Sequence, residues 1–205
     1  NESRGKFGPF DGQMFLGDYT LSVVMRATTE LVNGVWQGAC YPFREGFRSG
    51  VHRLAFGQDG SLWVGGTDRG WGARGGRRDA LERVLFTGVV PFEMKQLALA
   101  PEGFDVTFTQ PVDPVTAEDV KSFSATSFTY EYHPTYGCAE LESAAQSVTA
   151  ARLVAPDRVR LAVDHLKEKF VHEVHCTGVL SSRGEAPLHD VGYYTVNRVV
   201  DGASR

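Results

Sequence analysis

The sequence predicts an all-β protein in which a short antiparallel sheet segment, residues 1–88, is followed by a β-sandwich, residues 89–205. Three observations support this fold class. Most of the chain's 23 glycines lie in residues 1–88, at spacings that leave room only for short strands between turns. Residues 89–205 contain seven short apolar segments, several of which alternate apolar and polar side chains. Helix-like segments are few and span only one or two turns each.

Five strands are predicted in the first segment. The strongest local signal is a hairpin, because the strands Val51–Phe56 and Leu62–Gly65 flank the tight turn at Asp59-Gly60. The other three predicted strands are Met14–Gly17, Leu21–Ala27 and Gly34–Tyr41. Turn residues separate all of them, so each strand is short.

Three short helices are predicted over the whole chain. They are Asp79–Val84, Thr116–Val120 and Ala139–Ala145. None is long enough to connect parallel strands, and a parallel α/β sheet is therefore excluded.

Seven strands are predicted in the second segment. Turn signals such as Pro101-Glu102-Gly103 and Ala155-Pro156-Asp157 separate them closely enough for two packed antiparallel sheets. The predicted strands are Lys95–Leu99, Phe104–Phe108, Ser122–Glu131, Val148–Leu153, Arg158–Val163, Val171–Cys176 and Tyr193–Val196.

The two segments differ in charge. Residues 1–88 hold 11 Lys and Arg against 9 Asp and Glu, whereas residues 89–205 hold 10 against 16. The chain carries a net charge of −4, and no run approaches the roughly 18–20 apolar residues of a membrane-spanning helix. Any membrane association is therefore expected to be peripheral and through partners. The sequence begins at Asn1 rather than at a methionine and shows no charged-then-apolar leader, so it is either a processed chain or a sequence numbered from within a longer one. Of the two, we expect an exported, processed protein.

The three cysteines, Cys40, Cys138 and Cys176, follow no metal-binding or disulfide-framework spacing. Two alternatives stay open at this point. Cys138 and Cys176 form one bridge in an oxidising compartment, or all three thiols are free and buried.

Two resemblances to known families are carried by particular residues. Gly50–Gly65, which contains the predicted hairpin, resembles a blade hairpin of secreted β-propellers in the quinoprotein sugar dehydrogenase class. Phe104–Pro114, with Tyr193–Val196, is similar to bacterial immunoglobulin-like modules at the ends of large exported proteins. The wider order of the chain resembles the tail of large exported propeller proteins that often also carry cytochrome-like segments. The resemblance implies a propeller-like sheet segment followed by an immunoglobulin-like β-sandwich, in a periplasmic or extracellular protein.

The propeller-like segment is too short to form a closed ring. A blade takes roughly 40–50 residues and closure takes about four to eight blades, so residues 1–88 supply about two at most. The resemblance places the cofactor and catalytic base of the sugar dehydrogenases in blades that this chain lacks. We therefore predict no catalytic residue and no cofactor, and we predict that the chain is not an enzyme. An incomplete propeller leaves open sheet edges that recruit another chain or are covered by the sandwich.

The segment Gly65–Arg78, here called the arginine loop, is the predicted partner-binding site. It contains Arg69, Trp71, Arg74, Arg77 and Arg78. Arginine and tryptophan are enriched among the residues that contribute most to binding at protein interfaces. The alternative is a mobile loop whose arginines are solvated or paired with acidic neighbours, namely Asp68 and Asp79.

Two nucleotide-related functions are excluded for this loop. Gly70, Gly72 and Gly75 satisfy the spacing GxGxxG, but the strand-turn-helix unit of a dinucleotide site is missing. Nucleic-acid binding is disfavoured because the pI of the chain is near 5.9.

The six histidines do not predict a metal site. On a strand, His172 and Cys176 share one face while Glu173 and His175 share the other, so the four cannot form one local chelate. No ligand spacing requires His133, His165 or His189 to complete a site.

The predicted function is that of a non-enzymatic accessory or structural subunit. It would dock on protein subunits of a larger assembly through the arginine loop and an open sheet edge. By analogy with the resembled family, the host is the periplasmic face of a respiratory or photosynthetic membrane complex. The alternative is a terminal fragment of a quinoprotein-type sugar dehydrogenase that lacks its catalytic domain.

Overall fold

The computed structural model describes residues 1–135 and 137–200 and confirms the all-β class. Fourteen strands are found among these residues, together with one helical turn, α1, Pro114–Ala117, and a 3-10 turn, Val120–Ser122. The strands are β1 Met14–Asp18, β2 Val23–Val32, β3 Val35–Arg44, β4 Val51–Phe56, β5 Leu62–Thr67, β6 Asp79–Val84, β7 Met94–Ala100, β8 Gly103–Phe108, β9 Ser124–Thr129, β10 Leu141–Gln146, β11 Val148–Ala155, β12 Arg158–Val163, β13 Phe170–His175 and β14 Val191–Val196.

Three sheets are formed, with the strand orders β1-β2-β3-β14-β13-β9-β10, β11-β12-β8-β7 and β4-β5-β6. The β4–β5, β5–β6, β8–β12 and β13–β14 neighbours all pair antiparallel. The predicted hairpin is confirmed: β4 and β5 pair around the Asp59-Gly60 turn, where Gly60 has a φ of +84°.

Two of the three predicted helices are wrong. Residues 79–84 form strand β6, in which Ala80, Glu82 and Val84 are less exposed than the residues between them. Residues 141–146 form strand β10, which pairs with β9. The third prediction falls on a short α1 that begins two residues earlier, where Asp113 caps the helix by accepting a hydrogen bond from Thr116 N.

The chain divides into two compact units. The first contains residues 1–28 and 40–90, and the second contains residues 29–39 and the chain from residue 91 onward. Strands β2 and β3 each have residues in both units. The predicted segments, 1–88 and 89–205, rest on composition and place residues 29–39 in the first segment, whereas the structure groups them with the second unit.

The first unit has a core rich in phenylalanine. Phe7 makes edge-on ring contacts with Phe15 and Phe56 at centroid distances of 5.5 and 5.2 Å, and Phe15 meets Phe43 at 5.0 Å. Edge-to-face pairs of this kind add stability beyond the area they bury. The inward residues of the β4–β6 sheet, Leu62 and Val64, complete this core.

The second unit has a core between its two sheets. Phe104 on β8 lies 5.4 Å from the ring of Tyr194 on β14 and 5.8 Å from the ring of His172 on β13, and all three side chains are buried. This arrangement is sandwich-like. The finer immunoglobulin-like topology stays a prediction.

None of the helices among the described residues has the length and apolar character that crossing a membrane requires.

Candidate functional site

The arginine loop connects β5 to β6 in the first unit, and its first three residues belong to β5. All five predicted binding residues are exposed: Arg69, Trp71, Arg74, Arg77 and Arg78. The indole of Trp71 is 55% exposed although its nitrogen donates a hydrogen bond of 3.1 Å to Thr20 Oγ1. The predicted residues are therefore brought together on one exposed connection.

One side of the loop is held by residues 19–22. Arg74 N donates to Thr20 O at 2.8 Å, and Gly75 N donates to Ser22 Oγ at 3.0 Å. Tyr19 Oη also donates to Arg69 O at 3.2 Å. Partial desolvation, with the negative charge of Asp68, raises the pKa of Tyr19, so this phenol keeps the proton that it donates.

The other side of the loop is held by residues 48–49. Arg77 N donates to Arg48 O at 2.9 Å, and Ser49 Oγ donates to Arg77 O at 2.5 Å. The loop closes on itself where Asp68 N donates to Arg78 O at 3.1 Å. These bonds hold the loop backbone on both sides in the structure.

Gly75 is required by close packing of two backbones. A Cβ atom at this position would lie 2.5 Å from Ser49 N and closer still to Phe47 O and Arg48 C. Real Cβ contacts are not that short, so any larger residue would push the loop away from residues 47–49.

The arginines of the loop differ in their ionic partners. Arg69 pairs with Asp79 at 3.1 Å, which confirms the paired alternative for this residue. For Arg74, Arg77 and Arg78, no carboxylate lies within 4.0 Å among residues 1–135 and 137–200. The Arg69 pair is exposed on both sides and contributes little stability, while the three other guanidinium groups are available to a partner.

Sequence reasoning missed Arg48. This exposed residue and Arg74 line one groove of about 610 Å³, here called the arginine groove. The groove is bounded by Leu21, Ser22, Glu45, Gly46, Phe47, Arg48, Arg74 and Gly75. Arg48 lies 26 positions before Arg74 in the sequence. The packing of Gly75 against residues 47–49, with the hydrogen bonds of Arg77 to residues 48–49, brings the two arginines to the same groove. The glycine-flanked run Gly46-Phe47-Arg48-Ser49-Gly50 was a weak signal for it.

The edge of the β4–β6 sheet at β6 is open. In the part of the chain that the structure describes, residues 80–84 form backbone hydrogen bonds only toward β5. Leu81 on this strand is 71% exposed. The predicted open edge is therefore present next to the arginine loop, which leads directly into β6.

The histidine-rich segment on β13 behaves as its alternation predicts. His172 is buried, whereas His175 Nε2 lies 2.9 Å from Glu173 Oε1 on the other face, and His175 Nδ1 lies 3.8 Å from Asp190. No group of three or more potential metal ligands is found among the described residues.

The structure has three free cysteines, so the Cys138–Cys176 bridge is not formed in it. Cys176 is buried, and burial raises the pKa of its thiol far above the usual range. Cys138 is exposed, contrary to the expectation that all three free thiols are buried.

Comparison with known proteins finds no match: no protein family, no curated protein and no solved structure is similar to this chain. The propeller and immunoglobulin-like resemblances therefore stay predictions.

Proposed function

We propose that this protein is a non-enzymatic docking subunit that binds a larger protein assembly through the arginine loop. The observation that carries the proposal is that the backbone of the loop is hydrogen-bonded on both sides, while three of its arginine side chains have no ionic partner among the described residues. Hydrogen bonds to residues 19–22 and 48–49 hold the loop, while Arg74, Arg77 and Arg78 have exposed, unpaired guanidinium groups.

A fixed loop binds at lower entropic cost than a mobile one, because its backbone is already ordered before the partner arrives. Trp71 adds a large apolar surface beside the three cations, and this combination is typical of the residues that contribute most to interfaces. The guanidinium groups supply directional hydrogen bonds to carboxylates.

The open edge at β6 supports the same role. An exposed strand edge offers backbone donors and acceptors to an added strand, and Leu81 offers apolar contact beside it. Because the arginine loop leads directly into β6, one partner surface can engage both features.

The resemblance to exported propeller proteins supports a periplasmic or extracellular location. Within this proposal, the host is an electron-transfer complex at the periplasmic face of a respiratory or photosynthetic membrane. This assignment of the host is an analogy at family level.

The proposal is tested by replacing Arg74, Arg77 and Arg78 with alanine in the full chain, tagged and expressed at native level in its source organism. We expect the host subunits to co-purify stoichiometrically with the unmodified protein and to be lost from the variant at moderate salt. Thermal unfolding of the variant should be nearly unchanged, since none of the three side chains forms an ion pair with a residue that the structure describes.

A matched control removes three other exposed arginines, Arg152, Arg158 and Arg183. This control has the same change in net charge but leaves the loop intact, so it should retain the host. Equal retention of the host by both variants would remove the arginine loop from the proposal.

A further inference from the structure

The arginine groove is a second recognition element, which shares Arg74 and Gly75 with the arginine loop. This inference deepens the docking function proposed above and rests on it. We infer that the groove receives an acidic polypeptide segment of the partner, and that Arg48 and Arg74 are the two cations that bind its carboxylates.

Both arginines stand on fixed backbone. Arg74 N donates to Thr20 O at 2.8 Å, and Arg48 N donates to Glu82 Oε2 at 2.9 Å. Arg48 O accepts a hydrogen bond from Arg77 N. Gly75, the residue after Arg74, packs directly against the backbone of residues 47–49. Binding therefore needs to order only the two side chains.

The charges of the groove favour an anion. Arg48, Arg74 and one acidic residue, Glu45, line the groove, and among the described residues neither guanidinium group lies within 4.0 Å of a carboxylate. The Glu82 carboxylate accepts the backbone N–H of Arg48 instead. Glu45 is therefore not neutralised by either cation, and it opposes the approach of an anion. Removing its charge should strengthen binding of an acidic segment.

The donors of the groove favour carboxylates over phosphate. Phosphate sites in proteins commonly use several free backbone N–H groups. Here the backbone nitrogens of Arg48, Arg74 and Gly75 are already bonded to Glu82, Thr20 and Ser22. The charged donors that line the groove are the two guanidinium forks, whose planar geometry matches a carboxylate.

The walls of the groove fit a polypeptide. Leu21 lines the groove and is 52% exposed, so it can contact the apolar part of an acidic side chain or its neighbour. The volume, about 610 Å³, is in the range of clefts that bind drug-sized ligands, so it is large enough for an acidic side chain.

The test measures binding of a fluorescently labelled hexaglutamate peptide to the full chain by anisotropy at low salt. Arg48→Ala and Arg74→Ala should each weaken binding about tenfold, the loss expected for one charged hydrogen-bonded pair. Glu45→Gln should strengthen binding. The control Arg158→Ala, an exposed arginine of β12, should bind as the unmodified protein does.

Three results would overturn the inference. They are unchanged affinity in Arg48→Ala, no gain in Glu45→Gln, and tighter binding of inorganic phosphate or of a single-stranded oligonucleotide than of hexaglutamate. Far-UV circular dichroism of each variant shows that it is folded, so a loss of binding is assigned to the groove.

The failure of this inference differs from the failure of the docking proposal. If the loop variant releases its host while Arg48→Ala binds hexaglutamate as tightly as the unmodified protein, the inference about the groove is wrong and the docking role stands. If hexaglutamate binding needs both arginines while the loop variant keeps its host, the docking proposal fails. The acidic segment that the groove binds would then belong to a protein other than this host.

Discussion

His172 is a buried titratable residue in the core of the second unit. Its side chain is fully buried, its Nε2 accepts a hydrogen bond of 3.3 Å from Lys167 N, and the ring of Phe104 packs against it. The pKa of His172 is lowered from 6.5 to about 4, mainly by burial. A hydrogen bond with the backbone of Phe170 raises this pKa and the positive charge of Lys167 lowers it, and both contributions are smaller than that of burial. The folded protein therefore holds this imidazole neutral at pH 7.

This gives a prediction for acid stability. The unfolded chain binds the proton below pH 6.5 while the folded chain resists it until about pH 4, so the stability present above pH 6.5 is lost as the pH falls through that window. His172→Phe should reduce the loss in unfolding free energy between pH 7.5 and pH 4.5 by roughly 2–3 kcal/mol. Urea unfolding at the two pH values measures it.

The control is His52→Gln, because His52 is exposed on β4. This variant should keep the acid dependence of the unmodified protein. The same acid dependence in His172→Phe as in the unmodified protein would contradict the assignment, whatever the overall stability of that variant.

At the scale of single residues, the sequence predicted the exposed loop arginines but not their differences. Composition alone identified Arg69, Arg74, Arg77 and Arg78 as candidates. It could not show that Arg69 pairs with Asp79, or that Arg48 lines the groove of Arg74, because both facts depend on which backbones pack together.

At the scale of elements, the two wrong helices have a common cause. Asp79–Val84 and Ala139–Ala145 are rich in Ala, Leu, Glu and other residues that favour helices. Pairing with β5 and β9 overrides this preference, because it satisfies the hydrogen-bonding groups of the strand backbone. In β6 it also leaves alternate residues less exposed. Local propensity could not reveal those partners.

The β2–β3 hairpin was under-predicted although its turn signal is in the sequence. Asn33 and Gly34 have φ values of +48° and +77°, as a tight hairpin turn requires. The prediction ended the first strand at Ala27 and began the second at Gly34. The polar run Thr28-Thr29-Glu30 does not look like a continuation of strand β2 in the sequence. In the structure Glu30 accepts hydrogen bonds from Tyr194 Oη at 2.6 Å and Leu99 N at 2.7 Å, both in the second unit.

Gly75 provides an element-scale prediction. Gly75→Ala should destabilise the protein by roughly 1–3 kcal/mol, because its Cβ would overlap the backbone of residues 47–49. It should also weaken hexaglutamate binding, since the two arginines would no longer share one groove. Urea unfolding and peptide anisotropy measure the two effects.

Gly72→Ala is the matched control within the same loop. A Cβ atom at Gly72 would meet nothing within 4 Å, and this glycine has no positive φ. Its effect should stay within about 0.5 kcal/mol. Similar effects of the two substitutions would show that the close packing at Gly75 does not hold the loop.

At the scale of the whole molecule, the sequence predicted the all-β class but not how the chain is shared between its compact units. Glycine spacing and strand alternation are local properties, and they were sufficient for the class. The assignment of residues 29–39 to the second unit depends on long-range bonds. Gln37, for example, accepts hydrogen bonds from Asn197 N at 3.0 Å and Arg198 N at 2.8 Å.

This sharing predicts that the two units unfold together. Strands β2 and β3 each have residues in both units, so unfolding of either unit would break part of the hydrogen-bonded pairing of both strands.

Trp36 lies in the second unit, whereas Trp63 and Trp71 lie in the first. Trp36→Phe therefore reports on the first unit, and the double variant Trp63→Phe/Trp71→Phe reports on the second. Urea titrations followed by fluorescence should give coincident midpoints, provided that circular dichroism shows equal stability of the variants. Separate midpoints in variants of equal overall stability would mean that the shared strands do not couple the units, and that each unit keeps its own half of β2 and β3 when the other has melted.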